Sequence, residues 1–238
     1  MSEENKDDFL VYGLPRSGTN YIEFMLTRNL NVSCPTNMYE WKHGPIEQNR
    51  CKFFIIYKDP FSWINSMYVY NQKYDLCLNK YRSISRFIRG EMVLDERMFN
   101  PRWYIRGNPV MIYNDMIGHY AGNSSVLNCG ILNYESFMVD SSDSMRKICS
   151  AANAEMPSSL VHPEAPIFNK LVGIDAVNRE VYENKNFYTN RSYMSHFGSD
   201  DIKFVSRNIN RENLRKIRSL AVNMKLDPNA KNSSFTSR

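Results

Sequence analysis

The sequence predicts an α/β protein with three layers, in which helices cover both faces of a central, mostly parallel sheet. Short runs of β-branched and aromatic residues alternate along the chain with segments whose apolar residues recur at helical spacing. One run, Phe53 to Ile56, is apolar without interruption, which is typical of a strand buried on both faces. Strands that alternate with helices pair in parallel through crossover connections, which gives the three-layer arrangement.

The first two elements lie within the first thirty residues. Phe9–Tyr12 is a short apolar run that Gly13 and Pro15 end, so it predicts a buried strand. From Thr19 onward the spacing becomes helical. The apolar positions on one face of this predicted helix are Ile22, Met25, Leu26 and Leu30. A strand, a glycine-containing turn and a helix therefore follow in order.

The next elements repeat this order. We expect a second strand near Met38–Lys42 and a third at Lys52–Tyr57. Asp59 and Pro60 then begin a helix, because proline suits the first helical turn. The apolar positions of that helix are Trp63, Met67 and Tyr70.

The second half of the chain predicts one more strand and two capped helices. Val126–Tyr134 has the apolar pattern of a strand. Ser141 or Ser142 is expected to cap a helix, and Asn210 is expected to cap the last one. Their apolar faces contain Met145, Ile148 and Ala152 in the first, and Leu214, Ile217, Leu220 and Met224 in the second.

The 238 residues suit one ordinary domain. No linker rich in Gly, Ser or Pro and no repeat divides residues 9–226, which we expect to form that domain. Residues 1–8 are predicted to be a disordered, charged lead, and residues 227–238 a polar tail.

Composition excludes several classes of protein. No apolar run approaches the roughly 18 residues that span a membrane, and the polar N-terminus is unlike a signal peptide. The five cysteines are odd in number and lack a C-x-x-C pair, which indicates reduced thiols, a cytoplasmic location and no metal site. A net charge of +5 is too small to indicate nucleic-acid binding, yet it suits a pocket for one anionic ligand.

The most informative segment is the turn between the first strand and the first helix. Gly13 and Gly18 let the backbone approach an anion, and the helix N-terminus offers N–H donors. Side-chain donors come from Arg16, Ser17, Thr19 and Asn20. The Gly-x-x-x-x-Gly spacing is not followed by Lys-Ser/Thr, so the loop differs from that of nucleoside-triphosphate enzymes.

Pro15-Arg-Ser-Gly-Thr19 resembles the loop of the sulfotransferase family, which binds the 5′-phosphosulfate of 3′-phosphoadenosine 5′-phosphosulfate (PAPS; product PAP). A second segment supports the resemblance. Lys58-Asp-Pro, with Ser66 eight residues after Lys58, looks like the family's Arg-Asp-Pro...Ser site for the 3′-phosphate. A cation at a strand end and a hydroxyl in the following helix can converge on one phosphate.

The resemblance extends to Tyr134 and weakens toward the C-terminus. Leu132-Asn-Tyr-Glu is similar to the family's Tyr-Glu-Asp-Leu segment, whose tyrosine approaches the adenine, so Tyr134 is assigned to cofactor binding. The family's second 3′-phosphate clamp, Arg-Lys-Gly, is missing. Arg191 is our candidate for it, with Lys185 as the alternative.

The resemblance implies a PAPS-dependent sulfotransferase that needs no metal and uses His43 as the base. Sulfuryl transfer requires positive charge on the moving group and a group that takes the acceptor proton. Arg16 and Lys42 are the predicted cations, whereas Glu40 and Glu47 are alternative bases.

Residues 71–125 are rich in aromatic residues and asparagine, which suits a carbohydrate or other small-molecule acceptor, although a core role explains most of them equally well. The alternatives to a sulfotransferase are a non-catalytic PAPS- or PAP-binding protein and a P-loop kinase acting on a small molecule.

Overall fold

The computed structural model describes residues 7–30, 32–33, 42–44, 46, 52–73, 81–95, 104–123, 129–163 and 185–222. Within these ranges the protein is α/β, as the sequence predicts. No helix of the described ranges is long and apolar enough to cross a membrane.

The strands of the described ranges form two sheets. They are β1 (Asp7–Tyr12), β2 (Val32–Ser33), β3 (Lys52–Tyr57), β4 (Met92–Asp95), β5 (Tyr104–Gly107) and β6 (Cys129–Asn133). The central sheet has the order β2-β1-β3-β6, and all its strands are parallel. Tyr12 pairs with Ile55, and Tyr57 pairs with Asn133. The carboxyl ends of β1, β3 and β6 therefore meet at one edge, while β4 and β5 form a separate antiparallel pair.

Nine α-helices and one 3-10 helix accompany these strands in the described ranges. The α-helices are α1 (Thr19–Asn29), α2 (Pro60–Lys73), α3 (Ile84–Arg89), α4 (Pro109–Asn123), α5 (Tyr134–Val139), α6 (Ser141–Ala152), α7 (Lys185–Thr189), α8 (Ser199–Asn208) and α9 (Arg211–Val222). The 3-10 helix is Ser192–His196.

The core lies around the central sheet. Every residue of β3 from Phe53 to Ile56 is at most 1% exposed, although successive side chains point to opposite faces. Both faces of this strand are therefore covered. Ile22, Met25 and Leu26 of α1 are fully buried, which confirms the predicted apolar face, and each such side chain contributes about 1.5–3 kcal/mol.

Several predicted bounds differ from the observed ones. β1 begins at Asp7, so part of the predicted lead belongs to the sheet. Most of the expected strand Met38–Lys42 lies outside the described residues, and Lys42 itself is in a turn. β6 ends at Asn133, because the Asn133 side chain accepts a hydrogen bond from the Ser136 N–H and begins α5 at Tyr134. Residues 1–6 and the predicted tail lie outside the described ranges.

The predicted cap of α6 was wrong, and that of α9 is confirmed. Asp140 caps α6, with its carboxylate 2.9 Å from the Asp143 N–H, while Ser141 is already helical. An ionised acceptor at this position also interacts favourably with the helix dipole. Asn210 Oδ1 accepts from the N–H groups of Glu212 and Asn213, both at 3.1 Å.

Candidate functional site

The turn between β1 and α1 has a backbone that only particular residues tolerate. Gly18 has φ +101°, and a Cβ at this position would overlap the Tyr134 ring, so glycine is required twice over. Arg16 also adopts a positive φ of 64°. α1 then begins at Thr19 with no side-chain cap and no acidic residue in its first turn. The N-terminus of α1 is therefore suited to an anion.

Two buried polar atoms of this turn have no hydrogen-bond partner among the described residues. They are Ser17 Oγ and Arg16 Nε. Ser17 is completely buried, and the Arg16 guanidinium lies 4.9 Å from the centre of the Tyr70 ring. An unsatisfied buried polar atom is costly, so these two atoms fit a ligand that supplies acceptor oxygens.

Three hydrogen bonds hold the turn in place. The Trp63 indole N–H donates to the Pro15 carbonyl at 2.8 Å. The Gly13 N–H donates to the Lys42 carbonyl at 3.0 Å, and His43 Nδ1 lies 2.7 Å from the Gly13 carbonyl oxygen. Gly13 is thus bonded through both its N–H and its C=O to the segment that contains His43. This contact brings the predicted base to the predicted phosphate loop.

The contact with Gly13 also sets the proton position on His43. A carbonyl oxygen only accepts, so Nδ1 carries the proton and the ring lone pair is on Nε2. Burial lowers the pKa of His43 to about 3, and the charges of Lys42 and Arg16 contribute to the lowering. His43 is therefore neutral at pH 7, which is the state a base requires.

Lys42 is engaged in an ion pair. Its ammonium lies 2.9 Å and 3.1 Å from the two carboxylate oxygens of Glu23, and it also donates to Asn20 Oδ1. Lys42 is 8% exposed. This pairing engages Oδ1 of Asn20, a residue that the sequence predicts to bind the cofactor. Lys42 and Asn20 thus link the His43 segment to α1.

The two residues of the second predicted phosphate site are in contact, as their spacing indicates. Lys58 follows β3 directly, and its ammonium donates to Ser66 Oγ in α2 at 3.1 Å. Ser66 in turn donates to the Ser62 carbonyl at 2.9 Å, and the Tyr113 hydroxyl donates to the Lys58 carbonyl at 2.6 Å. The Lys58 side chain is held at one place because both its ends are fixed.

Tyr134 lies between the two predicted phosphate sites. Its ring packs on Gly18, and the Lys58 ammonium is 4.3 Å from the ring centre. Burial lowers the pKa of Lys58, the Glu135 carboxylate opposes this, and the Arg16 charge lowers the pKa further. Arg16 also acts on His43, so its guanidinium is within electrostatic reach of both groups. The structure brings Arg16, His43, Lys58 and Tyr134 together.

Glu135 is a site residue that the sequence analysis missed. Its Oε2 accepts from the Asp59 N–H at 3.1 Å and from Asn133 Nδ2 at 2.9 Å. Burial raises the pKa of Glu135, whereas the Lys58 ammonium opposes the rise. The available signal was an acidic residue in the first turn of a helix that follows a strand of the sheet.

Arg191 lies at the same edge of the sheet but contacts a different group. It has φ 51°, and its guanidinium is 3.8 Å from Asp59 Oδ2. It lines a cleft of about 440 Å³ together with Asp59 and Glu135. Its role at the 3′-phosphate stays a prediction. Lys185, the alternative, begins α7, and the alternative bases Glu40 and Glu47 lie outside the described residues.

The other histidines and the aromatic-rich region have structural partners. His119 Nε2 accepts from the Ile46 N–H at 3.0 Å, and His196 Nδ1 lies 2.7 Å from Asn65 Oδ1. Tyr113 and Tyr120 of the region 71–125 are buried in the core, at 1% and 0% exposure. Where the structure describes the chain, no group of three potential ligands could hold a metal ion.

No family model matches the chain, and no curated protein matches its sequence. The similarity to sulfotransferases therefore depends on the quoted residues alone.

Proposed function

We propose that the protein is a sulfotransferase, which moves a sulfuryl group from PAPS to a hydroxyl or amine of a carbohydrate or other small-molecule acceptor. The observation that carries the proposal is the hydrogen bond of 3.1 Å between Lys58 and Ser66, formed beside the Gly18 turn. The proposal includes the P-loop sulfotransferase architecture and a cytoplasmic location.

The residues fit a ligand with two anionic ends. PAPS supplies a transferable sulfuryl group on its 5′-phosphate and carries a second phosphate at the 3′ position. Ser17 Oγ, which has no partner among the described residues, suits the first end together with the first N–H groups of α1 and the Arg16 guanidinium. Lys58 and Ser66 suit the second end, and the Tyr134 ring between them suits the nucleoside.

Arg16, Lys58 and His43 have separate roles in this proposal. Arg16 stabilises the negative charge that builds on the departing phosphate, and Lys58 holds the distant phosphate. His43 accepts the acceptor's proton on Nε2, because Nδ1 donates to the Gly13 carbonyl. An anion beside Arg16 and Lys42 offsets their charges and raises the His43 pKa from about 3 toward the range of an effective base. Lys42 acts as a positioning residue through Glu23 and Asn20.

A PAPS- or PAP-binding protein without catalysis is the second candidate. It is favoured by the low pKa of His43 and by the Glu23 partner of Lys42, since both reduce the chemical activity of the predicted catalytic groups. The two candidates share the cofactor site and differ only at His43.

Calorimetric titration with PAP, and with ATP with and without Mg²⁺, tests the cofactor. We expect PAP to bind without Mg²⁺ and more tightly than ATP. The double variant Arg16→Gln/Lys58→Gln is expected to lose at least about 100-fold in PAP affinity, because each removes a charged hydrogen bond. The control Lys203→Gln/Arg215→Gln makes the same charge change on exposed positions of α8 and α9, and should stay within about twofold. Equal PAP affinity in both double variants, or Mg²⁺-dependent ATP binding in preference to PAP, contradicts the proposal.

Replacing His43 separates the enzyme from the binding protein. PAP release from PAPS is measured with a panel of sugars, phenols and amines. His43→Ala should reduce turnover by about 10²–10⁴-fold and leave PAP affinity within about threefold. His162→Ala, which removes a histidine partner of Tyr21 and Ser141, is the matched control with unchanged turnover. Tight PAP binding with no turnover on any acceptor supports the non-catalytic candidate.

A further inference from the structure

A second candidate site is the cleft of about 440 Å³ at the carboxyl ends of β3 and β6, a volume within the usual range for small-molecule sites. Its principal residues are Tyr57, Asp59, Tyr188, Arg191, Tyr193 and Arg218. They come from three separate parts of the chain: the end of β3, residues 188–193 and α9.

This cleft is on the other side of β3 from the Gly18 turn. Successive residues of a strand point to opposite faces, so the last two residues of β3, Ile56 and Tyr57, lie on opposite sides of the sheet. Ile56 packs against the turn, because a Cβ at Gly13 would meet its side chain at 2.9 Å. Tyr57 and Asp59 line the cleft. The cleft is therefore separate from the proposed phosphate sites, although Glu135 and Tyr188 border both.

The cleft has an excess of positive charge. The guanidinium groups of Arg191 and Arg218 share one oxygen, Asp59 Oδ2, at 3.8 Å and 3.4 Å. Both distances exceed the 2.7–2.9 Å that is usual for a charge-assisted hydrogen bond. The other oxygen, Asp59 Oδ1, accepts from the Phe61 N–H at 3.0 Å. One carboxylate thus faces two half-exposed arginines.

The second carboxylate of the cleft does not balance this excess. Glu135 lies beside the buried Lys58 ammonium, and its Oε2 accepts from Asp59 N and Asn133 Nδ2. Lys147, at the rim, has its own partner in Asp143 at 2.8 Å. Among the described residues, the cleft therefore has about one positive charge that no ion pair within it offsets.

The walls of the cleft are aromatic and apolar. Tyr188 and Tyr193 are 4% and 2% exposed, and Ile131 and Ala221 add aliphatic surface. A flat apolar body fits such walls, whereas the nearby carboxylates Asp59 and Glu135 repel a ligand with several negative charges.

We infer that this cleft binds a small organic monoanion, with one carboxylate or sulfate-ester group on an aromatic or apolar body. The anionic group lies between Arg191 and Arg218, where it accepts shorter hydrogen bonds from their guanidinium groups than Asp59 does. The body packs against Tyr188 and Tyr193. This site goes beyond the PAPS proposal, and Arg191, the predicted 3′-phosphate residue, is the one anion-binding residue that the two share.

Titration of the full chain with 4-nitrophenyl sulfate at low salt tests the inference, with NMR shifts of the Tyr188 and Tyr193 amides as the signal. Arg191→Gln and Arg218→Gln should each weaken binding about tenfold, since each removes a charged contact. Arg215→Gln, on an exposed position of the same helix as Arg218, should stay within about twofold. Neutral 4-nitrobenzyl alcohol should bind about tenfold more weakly than the sulfate to the wild type, with no further loss in Arg218→Gln.

Two controls keep the result interpretable. Urea unfolding identifies a variant that fails to fold, and Arg218→Lys then replaces it, with an expected loss of about threefold because the charge remains. Arg218→Gln should leave PAP affinity unchanged. Unchanged binding of 4-nitrophenyl sulfate in both arginine variants overturns the inference, and so does its displacement by PAP combined with weaker PAP binding in Arg218→Gln. If PAP fails to bind while 4-nitrophenyl sulfate behaves as expected, only the proposed function is wrong.

Discussion

Two neighbouring strand-to-helix junctions of the sheet are built in opposite ways. After β1, the turn ends at Gly18, α1 has no side-chain cap, and Ser17 Oγ has no partner in the described part of the chain. After β3, the Asp59 carboxylate accepts from the Phe61 N–H, and the Asp59 N–H donates to Glu135. The first junction therefore leaves hydrogen-bond donors for a ligand, whereas the N–H groups of Asp59 and Phe61 at the second junction are bonded within the protein.

The two junctions therefore offer an anionic ligand two different things, a helix N-terminus and a cation. The β1 junction contributes an open helix N-terminus and backbone strain, at a cost to stability. The β3 junction contributes a fixed cation, Lys58, which donates to Ser66 Oγ. Substitutions at the first junction should therefore affect binding more than stability, except where they restrict the backbone itself.

The largest expected effect is at Gly18. Gly18→Ala adds a Cβ at positive φ and against the Tyr134 ring, so we expect a loss of about 3 kcal/mol in the free energy of unfolding, measured with urea. Gly122→Ala is the control, because a Cβ there meets nothing within 4 Å and Gly122 is in a helix. It should be neutral or stabilise by up to about 1 kcal/mol. Equal stability of the two variants would show that the turn is not strained.

The next largest effect is a pH dependence of the free energy of unfolding, which comes from His43 beside the first junction. Its folded pKa of about 3 is below the ordinary 6.5, so between these values the unfolded chain binds a proton that the folded chain does not. Its contribution to stability is complete above pH 6.5 and is lost as the pH falls toward 3. Between pH 7 and pH 5 we expect the wild type to lose about 2 kcal/mol more than His43→Gln. Parallel stability curves for the two proteins would contradict the low pKa.

A ligand should change this titration. NMR of the His43 ring, with and without saturating PAP, is expected to show a higher pKa in the complex, because an anion offsets Arg16 and Lys42. An unchanged pKa, with PAP bound, would place the anion away from His43.

A substitution of Asp59 tests whether the hydrogen bonds of the second junction stabilise the protein. Asp59→Ala removes the cap of α2 and should lower the free energy of unfolding by about 1.5 kcal/mol, measured with urea. Asp115→Ala, at an exposed position within α4, should change it by less than about 0.5 kcal/mol. Similar losses in the two variants would mean that the cap contributes little.

The smallest expected effects come from a pair of serines. Ser66→Ala removes a partner of the buried Lys58 ammonium and should cost about 1 kcal/mol in unfolding free energy. Ser17→Ala removes an oxygen that has no partner in the described ranges, so the free energy of unfolding should stay within about 0.5 kcal/mol of the wild type, while PAP affinity falls about fivefold. If Ser17→Ala destabilises the protein as much as Ser66→Ala does, Ser17 Oγ has a partner within the protein and is not available to a ligand.

The sequence predicted the elements that have strong local signals. The bounds of β3 and the start of α2 follow from an apolar run and from Pro60, and both are confirmed. β2 was missed, because two residues have no periodicity. The α6 cap was wrong, since Asp140 and Ser141 are both good caps by type and only the backbone distinguishes them.

Among the contacts around the candidate site, a short-range one was predictable from the sequence and the long-range ones were not. Lys58 and Ser66 are eight residues apart on a strand end and a helix, so the spacing was sufficient to predict their contact. The contact between Asp59 and Arg218 joins residues 159 positions apart, and no local pattern reports it. The pairing of Lys42 with Glu23 is similar, because it depends on how the segment around residue 42 folds back on α1.

Because the strands of the central sheet are parallel, contacts at its edge join residues that the ribosome makes at different times. Glu135, the carboxylate beside Lys58, lies 76 residues after Asp59. At synthesis rates of about 5–20 residues per second, the ribosome needs roughly 4–15 s to add that stretch. During those seconds Lys58 and Asp59 have already been made, while their partners on β6, α5 and α9 have not. The β3 junction, which depends on these later partners, is therefore among the last regions of a nascent chain to be completed.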